Sequence, residues 1–346
     1  MFKKKLFSII LTLVLTACAS ATPPPTVAPA SAAAPSGNLV IYSGRSEALI
    51  KPVIEKFKAR YPAVTVALKA GSNSELANAL IEETANPQAD VFVATELMTL
   101  QSLADKGVFE GYKSANLKDV SSQYQHPDGL WTGLTLRARV IMYNTDLVKA
   151  DDAPKSIFDL TNPKWKGQIA AAGSANGSLQ AQVAEMRQLL GDEKAQKWLT
   201  DLKANEVKFF GGHTDVRKAV GAGEFKIGLV NHYYYHLQVA EKSKVAVIYP
   251  DQGKEELGLI VNATGAGVIK GAKNLNNAKA FVDYLLSAEG QEIFAQLNYE
   301  YPLRKDAPLH KDVAPLTNYR IAVFDVVKVG QSLNSTLTIL EKAKVP

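Results

Sequence analysis

Apolar and polar residues fall in alternating blocks along most of the chain. Residues 38–42, Asn38-Leu39-Val40-Ile41-Tyr42, form a short apolar run that stops at Ser43-Gly44-Arg45-Ser46. Beyond it Leu49, Ile50, Val53, Ile54 and Phe57 recur at the spacing of one helical face. The reading is a buried strand, a tight loop and a helix. Pro52 fits only a first turn, so the regular helix is expected to start near Lys51, after a single turn at 46–50. The scheme then repeats. Residues 64–68 read as a strand, 71–74 as a loop and 75–85 as a helix; 89–94 read as a strand and 97–106 as a helix stopped by Gly107. Such alternation predicts a parallel sheet covered on both faces. Ligands bind at the carboxyl ends of such strands, here the loops 43–46, 71–74 and 95–96.

The second part of the chain changes rhythm. Residues 130–144 form a long strand-like stretch, read as the crossing into a second lobe. A strand at 168–172 leads into Gly173-Ser174-Ala175-Asn176-Gly177-Ser178 and a helix carrying Leu179, Val183, Met186 and Leu190 on one face. Further helices are expected at 193–203 and 215–220, a strand at 226–230, β structure at 258–269, and one long helix or two at 277–297. No internal repeat is visible.

Composition is ordinary for a globular chain of 346 residues, 47% hydrophobic and 21% charged, and the length suits two domains. The 39 basic and 34 acidic residues give +5; without Lys3, Lys4 and Lys5 the excess is only +2. That balance gives no reason to expect nucleic acid as a partner. The three lysines open a segment, MFKKKLFSIILTLVLTAC, with the basic start and apolar run of a secretory signal. Leu15-Thr16-Ala17-Cys18 resembles the lipobox of bacterial lipoproteins, which implies a signal peptide at 1–17 and a lipid on Cys18. Cys18 is the only cysteine, so no intrachain disulfide can form. Residues 18–37 are rich in Pro, Ala, Ser and Thr and read as a tether. The folded part is expected to hang outside the cell from a membrane.

Three groups of residues carry candidate chemistry. Asn231 is placed to cap a helix starting at His232, which puts Tyr233 and Tyr234 in its first turn at a strand's carboxyl end. Ionising a phenol at neutral pH costs ~4 kcal/mol, which only a strong positive partner offsets. A hard trivalent cation is such a partner. The same tyrosines would equally serve to pack a helix on the sheet. Arg137 and Arg139 lie two apart in a strand and so share a face, roughly 7 Å from each other. They form either an anion site or a pair of structural ion pairs. The loops at Arg45 and at Asn176-Gly177-Ser178 each precede a helix, where free backbone N–H groups favour anions. His232 and His236, four apart, have the spacing of a zinc pair. No G-x-S-x-G nucleophile elbow and no P-loop occurs.

Taken in order, Ile41-Tyr42-Ser43-Gly44-Arg45, Ala89-Asp90-Val91-Phe92, Arg137-Ala138-Arg139-Val140, Pro163-Lys164-Trp165-Lys166-Gly167, Asn231-His232-Tyr233-Tyr234 and Glu300-Tyr301-Pro302-Leu303 resemble the ferric-ion-binding proteins of bacterial ABC importers. The resemblance runs from residue 38 to about 310. It implies an α/β, type II periplasmic-binding fold of two lobes joined by a two-stranded hinge. Lobe 1 would comprise 38–137 plus 262–305 and lobe 2 would comprise 138–261 plus 306–346. It further implies a monomer that is no enzyme and that delivers Fe3+ to an ABC permease. Tyr233 and Tyr234 would be the metal ligands. Arg45, Arg137, Arg139, Asn176, Gly177, Ser178 and Asn231 would hold or support a synergistic anion such as carbonate or phosphate. The chain departs from the family at Arg45-Ser46 and at Asn176-Gly177-Ser178, where many members supply further ligands. Glu96, His213, Tyr235 or water are the candidates for the positions left. The alternative is the same fold holding an organic or phosphorus-containing oxyanion in place of iron.

Overall fold

Thirteen consecutive residues, Thr132–Asn144, form one strand that organises the molecule, and twelve of them are buried. The computed structural model describes residues 34–346. The signal segment, Cys18 and the tether up to residue 33 lie outside the described residues. The chain opens with β1 (Gly37–Ser43), α1 (Glu47–Arg60), β2 (Val64–Ala70), α2 (Asn73–Glu82), β3 (Val91–Ala94), α3 (Leu97–Asp105) and the short β4 (Phe109–Glu110). The long strand is β5. After it come β6 (Ile169–Ala172), α4 (Gly177–Leu190), α5 (Asp192–Ala204), β7 (Lys208–Phe210), α6 (His213–Gly221), β8 (Ile227–Asn231), α7 (His232–Ala240) and β9 (Val245–Ile248). The last part holds β10 (Val261–Ile269), α8 (Leu275–Leu285), α9 (Ala288–Asn298), β11 (Tyr301–Pro302), α10 (Val326–Gln331) and α11 (Leu333–Lys342).

Strand order along the main path is β2-β1-β3-β10-β5-β8-β6-β7. Between Thr132 and Ala138, β5 pairs with β10; from Arg139 to Tyr143 it pairs with β8. One strand therefore serves both lobes and changes sheets between Ala138 and Arg139. Across that point Arg139 N–H donates to the Ile260 carbonyl at 2.9 Å, so the second chain crossing runs beside the first. This is the two-lobed type II periplasmic-binding architecture.

Each sheet is not purely parallel, contrary to the expectation from strand–helix alternation. β1, β2 and β3 run parallel, but β10 and β5 are antiparallel to their neighbours. The reason is connectivity: β5 and β10 are crossings between lobes, not members of a βαβ unit, so no crossover helix returns them parallel to their neighbours.

Pro52 does not break α1 either. The helix runs unbroken from Glu47 to Arg60 with Pro52 inside it. A mid-helix proline costs about 3 kcal/mol. The same helix buries Leu49, Ile50, Val53, Ile54 and Phe57, each worth about 1.5–3 kcal/mol, so burial wins. The expected stretch at 277–297 is two helices, α8 and α9. Ser287 caps the second, accepting from Gly290 N–H.

Candidate functional site

The loops at the carboxyl ends of β1, β2, β3, β6, β7 and β8 converge on one cleft of about 410 Å³. Five helices begin there. Ser46, Ser72, Asn176, Gly212 and Asn231 stand immediately before α1, α2, α4, α6 and α7. Free N–H groups at helix starts carry partial positive charge, so the cleft attracts anions before any side chain is considered. Among the described residues no carboxylate lines it.

Tyr233 and Tyr234 line the cleft from the first turn of α7. They are 3% and 9% exposed, and their ring centroids lie 4.3 Å apart. Burial and the neighbouring Tyr233 hold the Tyr234 phenol well above its ordinary value of 10, against the pull of Arg45 and Arg137. Two phenols set this close cannot both ionise without a cation between or beside them.

Arg137 reaches the cleft, and its Nε and Nη2 atoms are buried without a partner among the described residues. A buried guanidinium with free donors is costly unless an anion completes it. Arg45 also lines the cleft but has an internal partner, Glu300: Nη1 donates to Oε2 at 3.1 Å and Nη2 pairs with Oε1. Glu300 also accepts from Thr135 Oγ1 and from Asn298 Nδ2. Sequence reading did not link Glu300 to Arg45. The Glu300-Tyr301-Pro302-Leu303 stretch was the available signal, but a partner 255 positions away cannot be read from spacing.

Arg139 does not reach the cleft, unlike Arg137. It lies behind the cleft wall, where Nε donates to Gln182 Oε1 at 2.9 Å and Nη1 to Asn231 Oδ1 at 3.0 Å. Burial, then the nearby Arg137, push it down to about 9. Asn231 stands at the N-cap position of α7, but its side chain caps nothing. It joins Arg139 to Ser178, donating from Nδ2 to Ser178 Oγ at 3.1 Å. It is fully buried and is a support for the cleft, not a part of its surface.

Asn176, Gly177 and Ser178 do line the cleft, at the start of α4. A Cβ on Gly177 would sit 2.7 Å from Thr95 Oγ1 and 2.9 Å from Asn73 Nδ2. The missing side chain lets α4 approach the loops after β2 and β3.

The remaining candidates separate clearly. Glu96 is turned away from the cleft; it accepts from Thr99 N–H at 2.9 Å as the cap of α3 and from Asn73 Nδ2 at 2.9 Å. Its oxygens serve structure. Tyr235 is partly buried outside the cleft and packs edge-on against His236, centroids 4.9 Å apart. His213, the first residue of α6, lines the cleft beside Tyr234, ring centroids 5.2 Å apart. Burial and the adjoining Arg139 and Arg137 hold its pKa well below 6.5. His232 has both nitrogens occupied: Nδ1 accepts from Ala138 N–H at 3.2 Å, and Nε2 lies 2.8 Å from the Tyr299 carbonyl. The His232–His236 pair is therefore no zinc site, and no cluster of three or more His, Cys, Asp or Glu suited to a metal occurs among the described residues.

Comparison with known proteins agrees with this fold. A family profile for bacterial extracellular solute-binding proteins matches residues 86–326. The chain is 33% identical to the iron uptake protein A1 of Synechocystis over 313 residues, covering 88% of this chain and 86% of that protein. Iron-bound HitA from Pseudomonas aeruginosa superposes with a TM-score of 0.81 at 29% identity, over 88% of this chain and 99% of HitA. AfuA from Actinobacillus pleuropneumoniae, with fructose-6-phosphate bound, also superposes with a TM-score of 0.81, at 25% identity over 88% and 97% of the two chains.

Proposed function

Because the chain belongs to the bacterial extracellular solute-binding protein family, we propose that its cargo is ferric iron, captured with a small anion outside the cell. It is a solute-binding transport protein and not an enzyme. Tyr233 and Tyr234 supply two phenolate oxygens to Fe3+. Arg137 and the starts of α4 and α6 hold carbonate or phosphate, which completes the coordination. Arg45, its charge balanced by Glu300, forms part of the wall, and Asn231 with Arg139 keeps the loops in place. The observation that carries this reading is the pair of adjacent, cleft-lining phenols 4.3 Å apart. A charge of +3 offsets the cost of ionising a phenol at neutral pH, roughly 4 kcal/mol for an ordinary one and more for Tyr234, whose pKa burial raises.

Lobes divided as 38–137 plus 262–305 and 138–261 plus 306–346 close on the loaded cleft. The closed form then docks on an ABC permease in the membrane to which Cys18 ties the protein by its lipid. Closure signals loading only if the closed form binds cargo more tightly than the open one.

The test is direct. The full chain is loaded with ferric citrate, and iron per chain and visible absorbance are measured for wild type, Tyr233→Phe and Tyr234→Phe. One iron per chain with a phenolate-to-iron absorption band is expected. Each variant should lose that band or shift it, with affinity lowered by more than about 100-fold.

A second reading has its own support. Among the described residues the cleft has no lining carboxylate, and Arg137 has two free donors. Both features suit an organic or phosphorus-containing oxyanion. A colourless protein that takes up no iron but is stabilised by a sugar phosphate would establish that reading and sink the ferric one.

A further inference from the structure

We infer that His213 is a hydrogen-bond donor to anionic oxygen in the loaded cleft, with its tautomer set by Arg139, and is not a metal ligand. The inference rests on the ferric reading for the identity of the cargo, but its chemistry starts from Arg139. A guanidinium has five donors and no acceptor. Its Nη1 carries two hydrogens. One goes to Asn231 Oδ1 at 3.0 Å, and the other faces His213 Nε2 at 3.2 Å. Arg139 cannot turn away, because Nε is fixed on Gln182 at 2.9 Å. His213 Nε2 must therefore present its lone pair to Arg139. A neutral imidazole that accepts at Nε2 carries its proton at Nδ1.

Nδ1 of His213 is buried and has no partner among the described residues. A buried donor left unpaired costs about 1–3 kcal/mol. Both nitrogens are thereby accounted for: one lone pair is spent on Arg139, and the other nitrogen holds a proton. Neither is available to Fe3+. The ring belongs to the cleft wall next to Tyr234, so the acceptor for Nδ1–H is an oxygen of the bound anion or the Tyr234 phenolate. With Arg137 Nε and Nη2 and Arg45 Nε, four buried donors on cleft-lining residues then await oxygen, and none of them can accept a hydrogen. That set favours fully deprotonated oxygens over hydroxyl groups.

Two substitutions separate the nitrogens. His213→Asn keeps an amide donor near the position of Nδ1 and gives up the contact with Arg139. His213→Gln reaches Arg139 and gives up the donor. Iron affinity is measured at fixed bicarbonate for the full chain and both variants, with the visible spectrum and thermal midpoint of each. His213→Asn should stay within about threefold of wild type, and His213→Gln should weaken by about 10- to 100-fold with a shifted band. Equal losses in the two variants would overturn the inference. Nitrogen-15 spectra of the ligand-free protein decide the tautomer even if a variant fails to fold: Nδ1–H is expected, and Nε2–H overturns it. Wild type that takes up no iron would overturn the ferric reading alone, since the tautomer measurement stands without it.

Discussion

Arg45 and Glu300, 255 positions apart, form an ion pair shut off from solvent at the edge of the cleft, with side chains 2% and 0% exposed. The carboxylate is held on its other side by Thr135 and Asn298. The loop after β1 is thus tied to the segment after α9. Glu300→Gln leaves a buried guanidinium without its counter-charge. Removing one member of such a pair costs about 3–5 kcal/mol. Chemical denaturation should show a loss of that size, and a loss below 1 kcal/mol would mean that water reaches Arg45.

Acid should release iron. With Tyr233 and Tyr234 as the proposed ligands, iron would displace a proton from Tyr234, whose phenol is held well above 10, and another from Tyr233. With two protons exchanged per metal, affinity falls about 100-fold for each unit that pH drops. Titration of iron affinity between pH 8 and 6 at fixed anion gives the slope. A flat profile would show that the phenols are not ligands.

Glu185 on α4 predicts a pH dependence of folding. Burial raises its pKa from 4.5 to about 8, against Arg139 and Arg137, while Glu96 adds to the rise; Oε2 has no partner. A raised folded-state value means that the native protein holds a proton that the unfolded chain has lost. Its contribution is complete below pH 4.5 and disappears as pH climbs through 8. Glu185→Gln should remove that slope and be the more stable protein at pH 8, by a few kcal/mol. Denaturation midpoints at pH 5 and pH 8 for both proteins decide it, and identical slopes would refute the assignment.

Gly177 allows α4 to touch Thr95 and Asn73. Gly177→Val puts carbons where those atoms lie, while leaving the helix backbone undisturbed. The expected result is weaker iron binding with a nearly unchanged thermal midpoint, and a larger radius by solution scattering in excess iron. Unaltered affinity would mean that the two loops part at no cost.

The strands and helices that carry the cleft were readable in the sequence, because their apolar residues recur at clear periods. β1, β3, β5 and α4 are of this kind. The adjacency of Tyr233 and Tyr234 at a strand's end was equally plain. What sequence could not supply was direction and distance. Arg137 and Arg139 look equivalent on one face of a strand, yet the change of sheet between them leaves one in the cleft and sends the other to Gln182 and Asn231. Asn231 has the right type and place for a cap, but a buried arginine competes for its oxygen and wins. Pro52 signals a break locally, and five buried side chains outweigh it.

The change of sheet within β5 has one more consequence. Arg137, whose free donors await the cargo's charge, is the residue before the last one paired with β10. In the lobe closure proposed above, this residue therefore sits almost on the pivot. A lever driven close to its fulcrum turns a small displacement into a large excursion at its far end. In that proposed closure, a cargo that draws Arg137 by a fraction of an ångström would move the outer rims much further than it moves itself.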